Sequence, residues 1–319
     1  MSHAAQSLDN LTAPGLLERI TLSSLTTAPC CIFIFINGTM LFALRNKLVL
    51  RETSRYILLF NLLFADTVQM AVSQLLYLLA SCRIMLTYPV CGVLVMLANL
   101  TNEISPLTLV AMSLERFVAV CYPLRHPSII TMRNTQLAIV VVWAFCSFNV
   151  LIRVVLFLEY QLANLPSLQM KDLCSTLGMF LGPVSSDYDK AYTAFVFLSA
   201  GVAVIFSHIG VTVAARSAST NKASARKARN TLLLHVMQLG LSLSSTVHNA
   251  VLVAISKVFT RTVLVRIQCV LYVFLIMLPR CLSALIYGLR DQTIRSILVY
   301  HLCCRLKISA VAAKAETSL

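Results

Sequence analysis

Few side chains in this chain of 319 residues could do chemistry, and most of them stand inside long apolar stretches. No metal-ligand spacing and no nucleophile motif appears, so the sequence predicts neither an enzyme nor a metal or cofactor site. Ionisable and amide groups in an apolar span generally face the interior of a helix bundle, where they mark binding sites, relays or ion pairs. The alternative is that they only hold helices together. These residues are Asp66, Asn99, Asn102, Glu103, Arg153, His208, His235, His248 and Arg280.

Three of these residues are spaced as a group. Asn99 is followed by Asn102 and Glu103 at intervals of 3 and 4, which are the intervals of one helical face. They follow Cys91 by 8 to 12 residues, which is roughly 12–18 Å along a helix. That depth suits a small-molecule pocket in which a few polar groups stand among apolar walls. We therefore predict ligand contacts at Asn99, Asn102 and Glu103.

A second group of charges ends the same apolar stretch. Glu115 and Arg116, followed by Phe117, lead into a basic loop that contains proline and reaches His126. Adjacent charges at the end of an apolar helix are costly unless they lie at the water boundary or pair with other groups. Arg116 is 25 residues beyond Cys91, and roughly 37 Å of helix would cross a bilayer. One helix is thus predicted to carry Cys91 at one membrane face and the acid–arginine pair at the other.

The composition is that of an integral membrane protein. Apolar residues make up 58% of the chain and charged residues 12%, and the mean hydropathy is +0.82. A soluble domain carries about 25% charged residues. The net charge of +14 could indicate nucleic acid binding, but the basic residues stand between apolar stretches. They are better explained as topology signals and contacts with anionic lipid, so the lipid bilayer is a predicted partner and nucleic acid is not.

We predict an all-α membrane protein, a seven-transmembrane helix bundle with a short amphipathic helix on the membrane surface at the C-terminal end. Residues 1–27 are predicted as an extracellular segment and 28–288 as the bundle, while 289–319 form the surface helix and a cytoplasmic tail. The predicted spans one to seven cover about 28–44, 56–80, 91–122, 137–158, 191–215, 232–255 and 263–287.

The basic residues indicate the orientation. With the N-terminus outside, 17 lysines and arginines fall on the cytoplasmic side and 7 on the outer side. Because cytoplasmic loops carry the excess of positive charge, the N-terminus is predicted outside and the C-terminus inside. Asn10, in Asn10-Leu11-Thr12, is then a predicted glycosylation site, since the sequon would lie on the outer side.

Two cysteines fall at the outer face in this topology. Cys91 begins span three, and Cys174 is the only cysteine in the long loop of residues 159–190. Disulfides persist outside the cell, so we predict a bridge that holds this loop over span three as a lid. Two free thiols are the alternative. At the inner face, Cys303 and Cys304 follow the surface helix and suit palmitoylation.

Motifs spread over the whole chain resemble those of one receptor family. The stretch from Met112 to His126 is close to the odorant-receptor signature at the end of span three, and that signature is highly specific. Other motifs agree in order and spacing, namely Asn37, Leu62–Asp66, Trp143, Lys227–His235 and Pro279–Arg290. The chain therefore resembles a rhodopsin-like G-protein-coupled receptor, and more narrowly an odorant receptor of the kind found in fish.

The chain departs from the family pattern mainly in spans five to seven. His208 replaces a tyrosine that stabilises active states, and Ser283-Ala284 replace an Asn-Pro pair. The usual aromatic-proline switch of span six is missing, and the outer loop has one cysteine where most odorant receptors have three. The resemblance therefore still implies G-protein coupling, but it does not assign the whole internal switch.

The resemblance implies where a ligand binds and where the receptor works. A small odorant would bind in the outer half of the bundle beneath the Cys174 loop. Tyr192, Thr246 and Tyr272 would also face this cavity. The receptor would lie in the plasma membrane, in the cilia of olfactory neurons.

The resemblance also implies how the receptor signals. A heterotrimeric G protein, of the stimulatory type that raises cyclic AMP, would bind at the inner face. Glu115, Arg116 and Phe117 would form a latch in which Arg116 leaves Glu115 and contacts the G protein. Asp66, Arg280 and Tyr287 would belong to the internal switch.

Two pairs of buried charges carry their own hypotheses. Family geometry would place Arg280 about one turn from Asp66, in the pocket where many relatives bind sodium, and the arginine would pair with Asp66 and displace the ion. Glu103 and Arg153 are either ligand contacts or a pair that joins spans three and four.

The sequence leaves two alternatives to an odorant receptor. Another rhodopsin-like chemosensory receptor is the nearer alternative. A transporter or channel would need broken helices, repeat symmetry and charged residues along a continuous path. The sequence has no apparent internal repeat, and its polar residues cluster in the outer half and around Asp66.

Overall fold

The computed structural model describes residues 16–164, 170, 173–175, 183–218, 236–245, 247–256, 258–259, 261–290 and 294–295. Within these residues the chain is almost entirely helical and contains no β-strand. Six of the helices are long and apolar enough to cross a membrane. They correspond to the predicted spans one to five and seven, while span six is described in two pieces, 236–245 and 247–256. The all-α bundle is therefore confirmed.

The spans in the structure are longer than the sequence predicted. Span one begins at Leu16, because the apolar and helix-forming residues before Ala28 contain no glycine or proline. The loop between spans four and five is shorter than 159–190, since helix continues to Asn164 and resumes at Pro183. Spans one to five are Leu16–Asn46, Ser54–Ser81, Tyr88–Cys121, Met132–Asn164 and Pro183–Ala218, and the short helices Leu48–Arg51 and His126–Ile129 lie in the loops.

Span three is the axis of the bundle. It packs against spans two, four and five, and at 34 residues it is about 50 Å long. We call the end of span three with Cys91 its outer end and the opposite end, with Arg116, its inner end. Cys91 forms a disulfide with Cys174, which confirms the predicted bridge. The bridge lies among buried apolar side chains that include Tyr88 and Met170. The part of the loop around Cys174 is thus held on the outer end of span three.

Farther along span three from the disulfide, three hydrogen-bonded side chains link spans two, three and four. The indole Nε1 of Trp143 donates to Oδ1 of Asn61 at 2.8 Å, and Nδ2 of Asn61 donates to Oγ1 of Thr108 at 2.9 Å. Asn61 and Thr108 are buried. The triplet satisfies three polar groups that would be costly if left unpaired in an apolar interior.

Span seven contains an irregular segment. Arg261–Leu271 is α-helical, Tyr272–Met277 is π-helical, and Leu278–Arg290 is α-helical again. Pro279 has no N–H, so the carbonyl of Leu275 cannot accept the usual hydrogen bond from the residue four positions on. Nη1 of Arg280 lies 3.5 Å from that carbonyl and donates to it. The irregular turn therefore stands directly before the buried arginine.

Span six is interrupted by serines and contains no proline. Helix covers 236–244 and then His248–Ser256. At the interruption the hydroxyl of Ser245 donates to the carbonyl of Ser242 at 2.6 Å, and the hydroxyl of Ser244 donates to the carbonyl of Leu241 at 2.7 Å. Hydroxyls that bond to preceding carbonyls in this way bend helices.

Near the inner face, spans three and five approach each other closely. The hydroxyl of Ser207 donates to the carbonyl of Ser113 at 2.7 Å. One turn further along, a Cβ atom built on Gly210 would overlap with Cε2 of Phe117. The ring of Phe117 also packs against Phe206, with 5.7 Å between ring centroids. The aromatic ring occupies space that only a glycine leaves open.

We predict that Gly210→Ala destabilises the receptor by about 1–3 kcal/mol, because the added methyl group overpacks the Phe117 contact. The matched control is Gly201→Ala in the same span, where an added Cβ meets no atom within 4 Å. There alanine is the better helix former by about 0.5–1 kcal/mol. Thermal unfolding of both purified variants measures the difference. Equal unfolding temperatures would show that the contact is not close.

Candidate functional site

Six polar side chains from three spans meet in the outer half of the bundle. We call them the outer polar cluster. They are Glu103 from span three, Asn149 and Arg153 from span four, and Tyr188, Asp189 and Tyr192 from span five.

Glu103 is the centre of the outer polar cluster. It is 6% exposed, and both of its carboxylate oxygens accept hydrogen bonds. Nδ2 of Asn149 lies 2.7 Å from Oε1 and 2.8 Å from Oε2, and the hydroxyl of Tyr192 donates to Oε2 at 2.9 Å. The hydroxyl of Tyr188 in turn donates to Oδ1 of Asn149 at 2.7 Å. One carboxylate therefore joins three spans.

Arg153 lies between two carboxylates. Its Nη2 is 3.6 Å from Oε1 of Glu103, and its Nη1 donates to Oδ1 of Asp189. The guanidinium carbon is 6.0 Å and 5.6 Å from the ring centroids of Tyr188 and Tyr192, within the range of cation–π attraction. The residue is 4% exposed. Arg153 and Glu103 thus form an ion pair between spans four and three.

Sequence reasoning missed half of the outer polar cluster. Tyr188 and Asp189 fell inside the predicted loop, and Asn149 was not singled out. A signal was present, because Asn149 and Arg153 are four residues apart and Tyr188, Asp189 and Tyr192 have spacings of 3 and 4. The spacing of Tyr188, Asp189 and Tyr192 has a meaning only if all three lie in a helix, and span five begins at Pro183 and not at residue 191.

A second group of polar side chains lies on another side of span three, and we call it the central polar cluster. It consists of Asp66, Asn102, Ser105 and Arg280. The hydroxyl of Ser105 donates to Oδ1 of Asp66 at 2.6 Å, and Nη2 of Arg280 donates to Oδ1 of Asn102 at 2.6 Å. Nε of Arg280 is 3.8 Å from Oδ1 of Asp66. Asp66 and Arg280 are each 1% exposed, so this ion pair joins spans two and seven out of contact with water.

The structure separates residues that the sequence grouped on one helical face. Glu103 faces spans four and five, whereas Asn102 contacts Arg280 of span seven. Consecutive helical residues point about 100° apart, so Asn102 and Glu103 cannot enter the same cluster. The side chain of Asn99 is buried, and its Nδ2 has no hydrogen-bond partner among the described residues.

Tyr272 does not join the outer polar cluster. Its ring stacks on Tyr77 with 5.9 Å between centroids, and its hydroxyl donates to Oε1 of Gln74 at 3.2 Å. It packs with Cys30 and Met70 of spans one and two. The hydroxyl needs a partner when it is buried, and span two provides one. The described contacts of Tyr272 are therefore with spans one and two.

At the inner end of span three, the expected contact between Glu115 and Arg116 is absent. Oε1 of Glu115 instead lies 3.6 Å from Nε2 of His126 in the following loop. Neighbouring residues of a helix do not face each other, which is why the two charges diverge. Nη1 of Arg116 is buried without a hydrogen-bond partner among the described residues. The hydroxyl of Tyr287 contacts Sδ of Met112 at 3.9 Å, one turn above.

Four of the predicted site residues lie outside the described residues. They are Asn10, Thr246, Cys303 and Cys304. In the part of the chain that is described, no group of three or more histidines, cysteines or carboxylates is placed to hold a metal ion. The chemistry open to the two polar clusters is thus ion pairing, hydrogen bonding and recognition of polar ligands.

We predict that Arg153→Met destabilises the receptor by about 3–5 kcal/mol, because it leaves the buried Glu103 and the partly buried Asp189 without their common counter-ion. Lys190→Met is the matched control. Lys190 pairs with Asp187 at 2.9 Å in an exposed position, and surface pairs contribute at most about 1 kcal/mol. Thermal unfolding in detergent reports the difference. Similar unfolding temperatures would mean that the buried pair is not needed for stability.

Comparison with known proteins agrees with this architecture. Residues 36–309 match the family described as "7 transmembrane receptor (rhodopsin family)". The chain is also 30% identical over 278 residues to Odorant receptor 131-2 of Danio rerio, an alignment that covers 87% of this chain and 84% of that receptor. Both matches are to receptors and not to enzymes. The chain is therefore a multi-pass membrane protein that belongs to the rhodopsin family of seven-transmembrane receptors, and within that family to the odorant receptors.

Proposed function

We propose that this chain binds a small odorant in the outer half of its bundle and activates a heterotrimeric G protein, of the stimulatory olfactory type. The observation that carries the proposal is the arrangement along span three. Its outer end holds the disulfide of Cys91, its middle holds Glu103 and Asn99, and its inner end holds Arg116. A ligand at the middle of this helix and a partner at its inner end would therefore act on one rigid element.

The proposed location of the receptor is the plasma membrane of olfactory cilia. The proposed orientation has the N-terminus outside the cell and the C-terminus in the cytoplasm. The disulfide between Cys91 and Cys174 supports it, because disulfides persist in oxidising compartments. The excess of basic residues in the opposite loops agrees. Asn10 would then carry a glycan outside, and Cys303 and Cys304 would be palmitoylated inside.

The proposed ligand contacts are those nearest the outer polar cluster. Asn99 offers a buried amide, and Glu103, Arg153 and Tyr192 supply charge and hydrogen bonds. Thr246 and Tyr272 are proposed on the family resemblance, and Asn102 would sense the ligand through its bond to Arg280. The lid held by Cys174 would cover the site.

The proposed switch is a shift in population between two arrangements of spans five and six. A ligand that binds one arrangement more tightly raises its population by that difference in affinity. At the inner face, the Ser207 and Gly210 contacts hold span five against span three. Breaking them would let spans five and six swing outward and expose Arg116 to the G protein.

We predict that a panel of odorants contains compounds that raise cyclic AMP in cells expressing the receptor. Arg116→Ala is expected to abolish this response while leaving surface expression unchanged, because Arg116 is proposed to contact the G protein and not the ligand. Cells without the receptor are the control. A ligand-driven current that persists in Arg116→Ala without G protein would contradict the proposal and support a channel.

We also propose that Arg280 replaces the sodium ion that many relatives hold beside the aspartate of span two. The ion pair with Asp66 supports this, because a guanidinium at 3.8 Å already balances the carboxylate. Both residues are buried, and an unpaired buried charge is strongly unfavourable. A second cation in the same place would be repelled by Arg280.

The prediction is that replacing sodium by N-methyl-D-glucamine leaves the dose–response curve of the wild-type receptor unchanged. Arg280→Met removes the internal cation and leaves Asp66 unpaired, so this variant is expected to become sodium-dependent. The measurement is cyclic AMP accumulation in both media. A sodium-sensitive wild-type response that Asp66→Asn abolishes would overturn the idea.

A further inference from the structure

We propose that the ligand of the outer polar cluster is a small protonated amine that carries a hydrogen-bond acceptor about 6 Å from its nitrogen. The inference rests on the proposed function, because it names the chemical class of the odorant. Three features support it, namely the balance of charge in the outer polar cluster, the position of the tyrosine rings in that cluster, and the side-chain amide of Asn99.

The outer polar cluster has one negative charge more than it has positive charges. Glu103 and Asp189 are carboxylates, and Arg153 is the only basic side chain between them among the described residues. The nearest other charges on span five, Asp187 and Lys190, pair with each other at 2.9 Å and so cancel. Nothing else that is described on spans three, four and five brings a positive charge to the cluster.

An excess charge in this position has to be neutralised. The side chains of Glu103 and Arg153 are 8% and 5% exposed, and an uncompensated ion in such surroundings costs several kcal/mol. Either a proton on a carboxylate or a bound cation removes the excess. The side chain of Asp189 is 18% exposed, which makes it the more accessible carboxylate. A cation arriving from outside would meet it first.

The aromatic side chains of the cluster favour an organic cation. The rings of Tyr188 and Tyr192 are stacked 6.1 Å apart, and Phe145 lies 6.1 Å beyond Tyr192. The guanidinium of Arg153 already lies over both tyrosine rings. Ring faces attract ammonium and guanidinium groups, and they also accept the alkyl part of an amine. A carboxylate ligand would have to compete for Arg153 with Glu103 and Asp189, which already pair with it.

The hydrogen-bond acceptor is inferred from Asn99. Four residues toward Cys91 from Glu103, it lies on the same face of span three and about 6 Å nearer the outer end. Its side chain is 9% exposed, and its Nδ2 has no hydrogen-bond partner among the described residues. A buried donor left unpaired is costly, so a hydroxyl or carbonyl oxygen of the ligand would be stabilised there.

The test is binding to the purified full-length receptor in nanodiscs, without G protein. Four matched compounds are compared, namely 4-aminobutan-1-ol, butylamine, butan-1-ol and sodium butanoate, at one ionic strength with sodium chloride as the blank. We expect the two amines to raise the unfolding temperature, the amino alcohol more strongly, and the alcohol and butanoate to leave it unchanged. Equal shifts from amine and alcohol, a shift from butanoate alone, or no shift from either amine would overturn the proposal.

Variants identify the site. Asp189→Asn and Glu103→Gln keep shape and remove one charge, and each is expected to weaken amine binding by about tenfold or more. Asp187→Asn, whose side chain is exposed, is the matched control and should bind as the wild type does. If Glu103→Gln and Asp189→Asn both retain full amine binding, a proton already neutralises the cluster and the proposal fails. If a variant does not fold, the comparison of the four compounds on the wild-type receptor still tests the proposal.

The same experiment keeps this inference separate from the proposed function. Amines that bind in nanodiscs but raise no cyclic AMP in cells would leave the amine site standing and refute the proposed signalling. Cyclic AMP responses to neutral odorants, together with no amine binding, would support the proposed signalling and refute the amine site.

Discussion

The structure depends on the pairing of polar groups that are removed from water. In an apolar bundle a buried charge or amide that finds no partner costs several kcal/mol, so pairing with a group on another helix is strongly favoured. The Arg280 guanidinium is the clearest case. Its side chain is among the largest that are fully buried, and it donates to Asn102 of span three and forms an ion pair with Asp66 of span two. These pairings decide which helices are neighbours, since apolar side chains alone would pack in many ways.

Span three supplies a partner for most of these groups. Toward span two, Thr101 donates to Gln69 at 2.6 Å, Ser105 to Asp66 at 2.6 Å, and Thr108 accepts from Asn61 at 2.9 Å. Toward spans four and five it presents Glu103. Asn102 and Glu103 are adjacent in sequence but enter different clusters. The two clusters therefore share a single helical turn, and a change of charge in one acts on the helix that carries the other.

The irregular helices lie where the chain departs from its family. Span six is broken by hydroxyl–carbonyl bonds at Ser244 and Ser245, and span seven has a π-helical segment before Pro279. In both segments the regular backbone hydrogen bonds of the helix are disturbed, and a side chain donates a hydrogen bond to a backbone carbonyl. A serine hydroxyl does so in span six and the Arg280 guanidinium in span seven.

Much of this protein was determined by its sequence alone. Apolar stretches of membrane-spanning length required helices, because no other open structure satisfies the backbone in lipid, and two outer cysteines indicated the disulfide. The sequence also identified Glu103, Arg153, Asp66 and Arg280 as buried charges. It could not say which charges meet, since that depends on the rotation of each helix about its axis. Helical rotation directs Glu115 to His126, Asn102 to Arg280 and Tyr272 to Gln74, and the early start of span five brings Asp189 to Arg153. Only the packed bundle fixes those rotations, because each depends on partners from distant parts of the chain.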